Sequence, residues 1–125
     1  MARGKILIVD DEPDIAEVLG DRLEAKGFEV RVVHSAHACY EAVAEATPGL
    51  IMMDIQMPGI SGLEALVELK RRHPEVPVLM VSASTVRNAA LEAVEKGAAG
   101  FLLKPFDPED LMRKVGEIMG GRDAP

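Results

Sequence analysis

Leu50-Ile51-Met52-Met53-Asp54-Ile55-Gln56-Met57-Pro58 carries the pattern from which the architecture of the chain follows. Four apolar residues run without a polar break, stop at a carboxylate, and lead into Met57-Pro58-Gly59. A continuous apolar run this short reads as a strand buried on both faces. Asp54 then stands at the strand's carboxyl end, where open α/β sheets place their chemistry. The same shape recurs outward in both directions. Lys5-Ile6-Leu7-Ile8-Val9 ends in Asp10-Asp11, Val78-Leu79-Met80-Val81 ends in Ser82, and Phe101-Leu102-Leu103 ends in Lys104. Four strands are thereby expected to bring Asp10, Asp11, Asp54, Ser82 and Lys104 to one rim.

Helical patterns fill the intervals. Glu12-Pro13-Asp14 opens the first, with proline suited to a first turn and acids suited to the positive end of the helix dipole. Its expected apolar stripe is Ile15, Val18, Leu19 and Leu23, and Gly27 is its expected stop. Glu29-Val30-Arg31-Val32-Val33 alternates as a half-exposed edge strand does. Cys39, Ala42, Val43 and Ala46 mark a second helix that ends before Pro48. Ser61 and Glu64 have the spacing of a capping box for a third, with Leu63, Leu66 and Val67 as its buried stripe. Lys70-Arg71-Arg72-His73 closes that helix with positive charge, read as a solvated helix end rather than a nucleic-acid patch. A small-residue helix through Ala90, Leu91 and Val94 stops at Gly97, and Ser82 or Ser84 could cap it. Asp107 and Pro108 start a last helix carrying Leu111, Val115, Ile118 and Met119.

Strands and helices alternating with short joins predict an α/β domain, a five-stranded parallel sheet with helices on both faces. In strand order 2-1-3-4-5 the first and third strands are neighbours at the switch point, and Asp10, Asp11 and Asp54 share one crevice. Residues 1–121 are expected to form this single domain, with 122–125 a tail or the start of a linker.

Composition narrows the chemistry. The chain has 125 residues, 48% of them hydrophobic and 28% charged, ordinary values for one globular domain. A net charge of −7 argues against direct nucleic-acid binding by this domain. No apolar run approaches bilayer length and nothing resembles a signal peptide, so no membrane contact is expected. The single cysteine, Cys39, excludes an internal disulfide, fits a reducing cytoplasm and is read as packed in its helix stripe. One Tyr, three Phe and no Trp leave little from which to build stacking platforms for flavins or bases. His34 and His37 are too loosely spaced, with no further partner, to make a metal site, and are read as solvent-exposed.

Three carboxylates at one rim repel one another. At about 5 Å and an effective dielectric near 20, each pair costs about 3 kcal/mol. Either one carboxyl takes a proton or a divalent cation joins them, and hard oxygen donors suit Mg²⁺ or Mn²⁺. A cation, a carboxylate nucleophile (Asp54), an ammonium (Lys104) and a hydroxyl donor (Ser82) are together the components of phosphoryl transfer.

Those residues resemble a known family. Val9-Asp10-Asp11-Glu12, Met53-Asp54-Ile55-Gln56-Met57-Pro58-Gly59-Ile60-Ser61-Gly62, Ser82-Ala83 and Lys104-Pro105-Phe106 closely resemble the receiver domain of bacterial response regulators, from Lys5 to about Met119. The resemblance implies a flavodoxin-like (βα)₅ fold and a phosphorylation switch in a cytoplasmic phosphorelay. It implies Asp54 as phosphoacceptor and Mg²⁺ held by Asp11, Asp54 and the Gln56 carbonyl, with Asp10 direct or through water. It further implies Lys104 on the phosphoryl group, a cis Lys104–Pro105 bond, and Ser82 and Phe101 as the switch pair remodelling the face of helix four, strand five and helix five. Implied partners are a sensor histidine kinase or phosphotransfer protein and a downstream effector or linked output domain, with homodimer formation on phosphorylation as a further option. A stand-alone receiver and a receiver cut from a longer regulator are both open. Ser82 stands where Thr is more frequent, Phe101 where Tyr is often found, and Gly49 where Asp often follows the proline; none of these removes a required group. Gln56 and Ser84 occupy the two variable places that tune phosphate lifetime in the family.

Two rivals share the architecture. A phospho-aspartate phosphohydrolase needs a second carboxylate two residues beyond the nucleophile, where Gln56 stands. A flavin-binding module needs hydroxyls and amides in the first loop, where Asp10-Asp11-Glu12 would repel phosphate.

Overall fold

A computed structural model describes residues 4–83 and 87–119, the first two of the second span by backbone alone. Ser84 and the Gly120-Gly121 tail lie outside the described residues. Strands and helices alternate throughout: β1 (Lys5–Val9), α1 (Pro13–Ala25), β2 (Glu29–Val33), α2 (Ala36–Glu45), β3 (Leu50–Asp54), α3 (Gly62–Arg72), β4 (Val78–Ser82), α4 (Arg87–Glu95), β5 (Gly100–Leu103) and α5 (Pro108–Met119). The strands form one parallel sheet in the order β2-β1-β3-β4-β5, the arrangement the alternating pattern predicts.

The continuous apolar strands are the central ones because both of their faces are covered. Every residue of β3 and of β4 is buried, whereas β2, at the sheet edge, alternates. Alternate side chains feed two cores. Leu7, Val9, Ile51, Met53, Val78 and Met80 pack on the side of α2, α3 and α4. Ile6, Ile8, Leu50, Met52, Leu79 and Val81 pack on the side of α1 and α5. Asp54 continues the second series and Ser82 the first, so the rim that carries them sits where the two faces meet.

Local signals that end and begin helices are realised as the sequence predicts. The chain reverses after α1 at Gly27, whose φ of 99° is costly for a residue bearing a Cβ. The hydroxyl of Ser61 accepts from the Glu64 amide while the Glu64 carboxylate accepts from the Ser61 amide, a complete capping box on α3. At the other end of α3, Arg71 and Arg72 pair with Glu68, and Lys70 donates to the Pro74 and Val76 carbonyls. That cationic run thus serves the helix end.

The helix stripes differ from expectation. On α1, Leu19 and Leu23 are buried as expected, but Ile15 and Val18 are 38% and 55% exposed, and Ala16 and Gly20 complete the inward face. On α3, Val67 is exposed while Ala65, Leu66 and Leu69 pack inward. On α4, Leu91 and Val94 are each 59% exposed and Ala93 is buried. Ala46 is not a helix-stripe residue but an exposed C-cap of α2. On each of these helices an alanine (Ala16, Ala65 or Ala93) sits fully buried on the inward face, beside Leu19 and Leu23 on α1 and Leu66 and Leu69 on α3, so the stripe is rotated from the one that the largest apolar residues suggest.

Candidate functional site

At the carboxyl ends of β1 and β3 the register pairs Val9 with Met53, which sets Asp10 and Asp54 side by side one residue on. Both are buried. The Asp10 amide continues the ladder by donating to the Val33 carbonyl at 3.1 Å. Its carboxylate accepts from the Glu12 amide at 2.9 Å through Oδ1, which folds the loop back over the end of β1. Asp54 is held in the same way, its Oδ1 accepting from the Gln56 amide at 3.1 Å.

Lys104 arrives from the end of β5. The Lys104 amide donates to the Ser82 carbonyl at 2.8 Å, which extends the β4–β5 pairing, and the Lys104–Pro105 peptide is cis. The Lys104 ammonium lies 3.2 Å from Asp10 Oδ2 and 3.3 Å from Asp54 Oδ2, bridging the two carboxylates. Asp10, Asp11, Glu12 and Asp54 each place a carboxylate oxygen within 4.8 Å of the others. Ser82 is fully buried, and its hydroxyl donates to Gln56 Oε1 at 3.4 Å. Phe101 is half-buried against the core that α2, α3 and α4 cover. Asp10, Asp11, Asp54 and Lys104 therefore come together at one rim, with Ser82 and Gln56 forming its wall and Phe101 set behind β4.

The electrostatics follow from this packing. Burial raises the Asp54 carboxyl pKa above the ordinary carboxylate range; the Gln56 amide and the Lys104 ammonium pull it down, and Asp10 pushes it up further. For Lys104, burial lowers the pKa, but the carboxylates of Asp54 and Asp10 outweigh it and the net shift is upward. Among the described residues, the Lys104 ammonium thus pairs with two of the four clustered carboxylates. The donors are all hard oxygens on a loop and a strand end, with Asp10 and Asp54 buried, Asp11 half-buried and Glu12 exposed to water. That donor set fits a small, water-retaining divalent cation such as Mg²⁺.

Three participants are not apparent from strand-end reasoning. Glu12, expected only to open α1, is the fourth carboxylate of the cluster. His34 is exposed, as expected, and in addition has its ring Nδ1 2.9 Å from the Asp10 carbonyl. Gly62, the first residue of α3, donates its amide to the Ile55 carbonyl at 2.8 Å. A Cβ there would lie 2.2 Å from the Asp54 carbonyl oxygen. Nothing in the spacing of apolar residues signals so close a backbone approach.

Ile15, Val18 and Leu19 of α1 face Pro105, Phe106 and Leu111 across an apolar groove of about 510 Å³ that also touches Glu12 and Lys104. It opens beside the carboxylate rim.

Comparison with known proteins places this geometry among relatives. The sequence model described as the response regulator receiver domain matches residues 6–116. The nitrogen assimilation regulatory protein NtrX of Azorhizobium caulinodans is 41% identical over 109 residues, 86% of this chain and 24% of that protein. The DNA-binding transcriptional regulator NtrC of Escherichia coli K12 is 36% identical over 115 residues, 92% of this chain and 24% of that protein. The chain thus spans about a quarter of the length of these curated relatives. The crystal structure of the receiver domain of NtrX from Brucella abortus superposes with a TM-score of 0.88 at 34% identity, covering 91% of this chain and 97% of that one.

Proposed function

The chain belongs to the response regulator receiver domain family, and from that premise we propose that it is a phosphorylation switch whose acceptor is Asp54. The observation that carries this reading is the Lys104 ammonium bridging Asp10 and Asp54 at 3.2 and 3.3 Å within a cluster of four carboxylates. An oxygen of Asp54 attacks the phosphorus of a phosphohistidine or a small acyl phosphate. The P–N or P–O bond to the donor breaks, its electron pair leaves with the donor, and Asp54 becomes a mixed anhydride. Burial raises the basicity of Asp54 and so supports its role as nucleophile. Lys104, already within reach of Asp54 Oδ2, neutralises charge on the transferred group. Asp10, Asp11, Asp54 and the Gln56 carbonyl would hold Mg²⁺, or Mn²⁺, which when bound supplies countercharge for the phosphoryl oxygens. Hydrolysis of the anhydride restores the resting state, so the chain acts as a self-limited signalling domain rather than a turnover enzyme.

The new dianion draws on the Ser82 hydroxyl, which exchanges Gln56 for a phosphoryl oxygen, and Phe101 repacks behind it. The readout surface is then the face of α4, β5 and α5, where Leu91, Val94 and Leu103 stand exposed. The apolar groove at α1 is continuous with the acceptor rim and supports approach of a sensor kinase or phosphotransfer protein from that side. The output is an effector protein or a linked domain, with dimer formation as one means of control, in the cytoplasm. Among the described residues no helix is long and apolar enough to cross a membrane. Residues 1–121 constitute the receiver and 122–125 a tail or linker.

The test is incubation with acetyl phosphate and Mg²⁺, read by intact mass. The expected result is a gain of one phosphoryl group, absent without Mg²⁺ and absent in Asp54→Asn. Equal labelling of Asp54→Asn would sink the assignment.

A further inference from the structure

We propose that His34 is a positioning residue for the acidic loop: its ring Nδ1, 2.9 Å from the Asp10 carbonyl, fixes the main chain that presents Asp10 and Asp11 to a divalent cation. The inference rests on the metal reading given above and adds a residue to it.

A carbonyl only accepts, so the ring must carry its proton on Nδ1 and donate. The loop it grips is short and irregular. Between the end of β1 at Val9 and the start of α1 at Pro13 stand only Asp10, Asp11 and Glu12, and Glu12, the N-cap of α1, makes no side-chain cap bond. Asp10 is therefore the anchor. Its amide is tied to Val33 and its carboxylate to the Glu12 amide and Lys104. The carbonyl is tied to His34, the only side chain among the described residues bonding this loop's main chain from another element. Val33 and His34 are consecutive, so the end of β2 clasps Asp10 through both its amide and its carbonyl. The peptide carbonyl of Asp10 is bonded to the amide nitrogen of Asp11. A turn about the Asp10 Cα–C bond, which a hydrogen bond to that carbonyl resists, would move Asp11 and its carboxylate relative to Asp54. A partner that orients a metal ligand in this way commonly matters to affinity although it never touches the ion.

The experiment measures binding of Mn²⁺ alone to the 125-residue chain by electron paramagnetic resonance of the free ion, with thermal denaturation in EDTA alongside. His34→Ala should weaken Mn²⁺ binding by about three- to tenfold, the net worth of one such hydrogen bond, while melting in EDTA as the wild-type chain does. His34→Asn carries an amide nitrogen at the same place as Nδ1 and should restore affinity to within about twofold. His34→Gln places its nitrogen one bond farther out and should stay weak. Wild-type affinity in His34→Ala overturns the proposal, and so does equal weakness of His34→Asn and His34→Ala. Failure of the wild-type chain to bind Mn²⁺ is a separate outcome. It overturns the metal reading, and the role of His34 with it.

Discussion

Asp54 gives up most of its water on folding, and that burial, reinforced by Asp10, leaves its carboxyl pKa raised despite the Gln56 amide and Lys104. A carboxyl whose folded pKa exceeds its unfolded value, near 3.9 for aspartate, destabilises the fold once ionised. The penalty is present above the folded pKa and vanishes as pH falls below the unfolded one. Asp54→Asn should therefore melt higher than the wild-type chain at neutral pH in EDTA, and the gap should close as pH falls towards the unfolded value. A lower melting temperature for Asp54→Asn at pH 7 would contradict this account. Cys39 gives the opposite end of the scale. Burial pushes its thiol up to about 12, so the folded state keeps the proton that the unfolded state loses first. Stability should fall with rising pH from about 8.5 upward, at roughly 1.4 kcal/mol per unit from this group. Paired urea titrations should show that slope in the wild-type chain and its loss in Cys39→Ala. The same burial keeps the thiol unreactive towards disulfide reagents until the chain unfolds.

At the level of the elements, α3 is positioned by two features of different legibility. Ser61 and Glu64 are readable as a capping box from spacing alone, and removing the hydroxyl in Ser61→Ala should cost about 1 kcal/mol. Gly62 is not readable in this way. A Cβ there would sit 2.2 Å from the Asp54 carbonyl oxygen and 2.6 Å from Ile55 Cα, and these backbone atoms have no room to yield. Gly62→Ala should thus cost about 3 kcal/mol or more and displace the end of β3 that carries Asp54. Gly59 has φ +78° with nothing near its Cβ position, so Gly59→Ala should cost only about 1–2 kcal/mol of backbone strain. Denaturant titration of the two variants compares a packing clash with a conformational penalty. The contrast shows where sequence reading stops. Strands β1, β3 and β4 were legible because burial on both faces demands unbroken apolar runs, and their carboxyl ends delivered Asp10, Asp54 and Ser82. The inward faces of α1 and α3 were legible only in part, through Leu19, Leu23 and Leu66, and that of α4 less so, because Ala16, Ala65 and Ala93 complete them and carry little hydrophobic signal. Glu12 and His34 escaped for a related reason: their parts depend on how a loop folds over the end of β2.

For the molecule as a whole, the two cores on either side of the sheet set the scaffold, and the rim is where that scaffold stores its electrostatic conflict. Four carboxylates come within 4.8 Å of one another in a chain already carrying −7, with one ammonium bridging two of them. The residues involved come from the ends of β1, β3 and β5, so relieving the repulsion ties together segments that are distant in sequence. A cation bound only by the folded chain stabilises it by mass action, about 2.7 kcal/mol at a hundred times its dissociation constant. For a domain of this size that is roughly a 10 °C rise in melting temperature. Mg²⁺ should produce such a rise relative to EDTA, whereas NaCl matched in ionic strength, which only screens, should produce much less. Asp11→Asn should melt no lower than the wild-type chain in EDTA and lose most of the Mg²⁺ response, because it removes a half-buried donor while leaving the Lys104 bridge to Asp10 and Asp54 in place. A melting temperature indifferent to Mg²⁺, or an equal response in Asp11→Asn, would mean that Lys104 alone balances the rim.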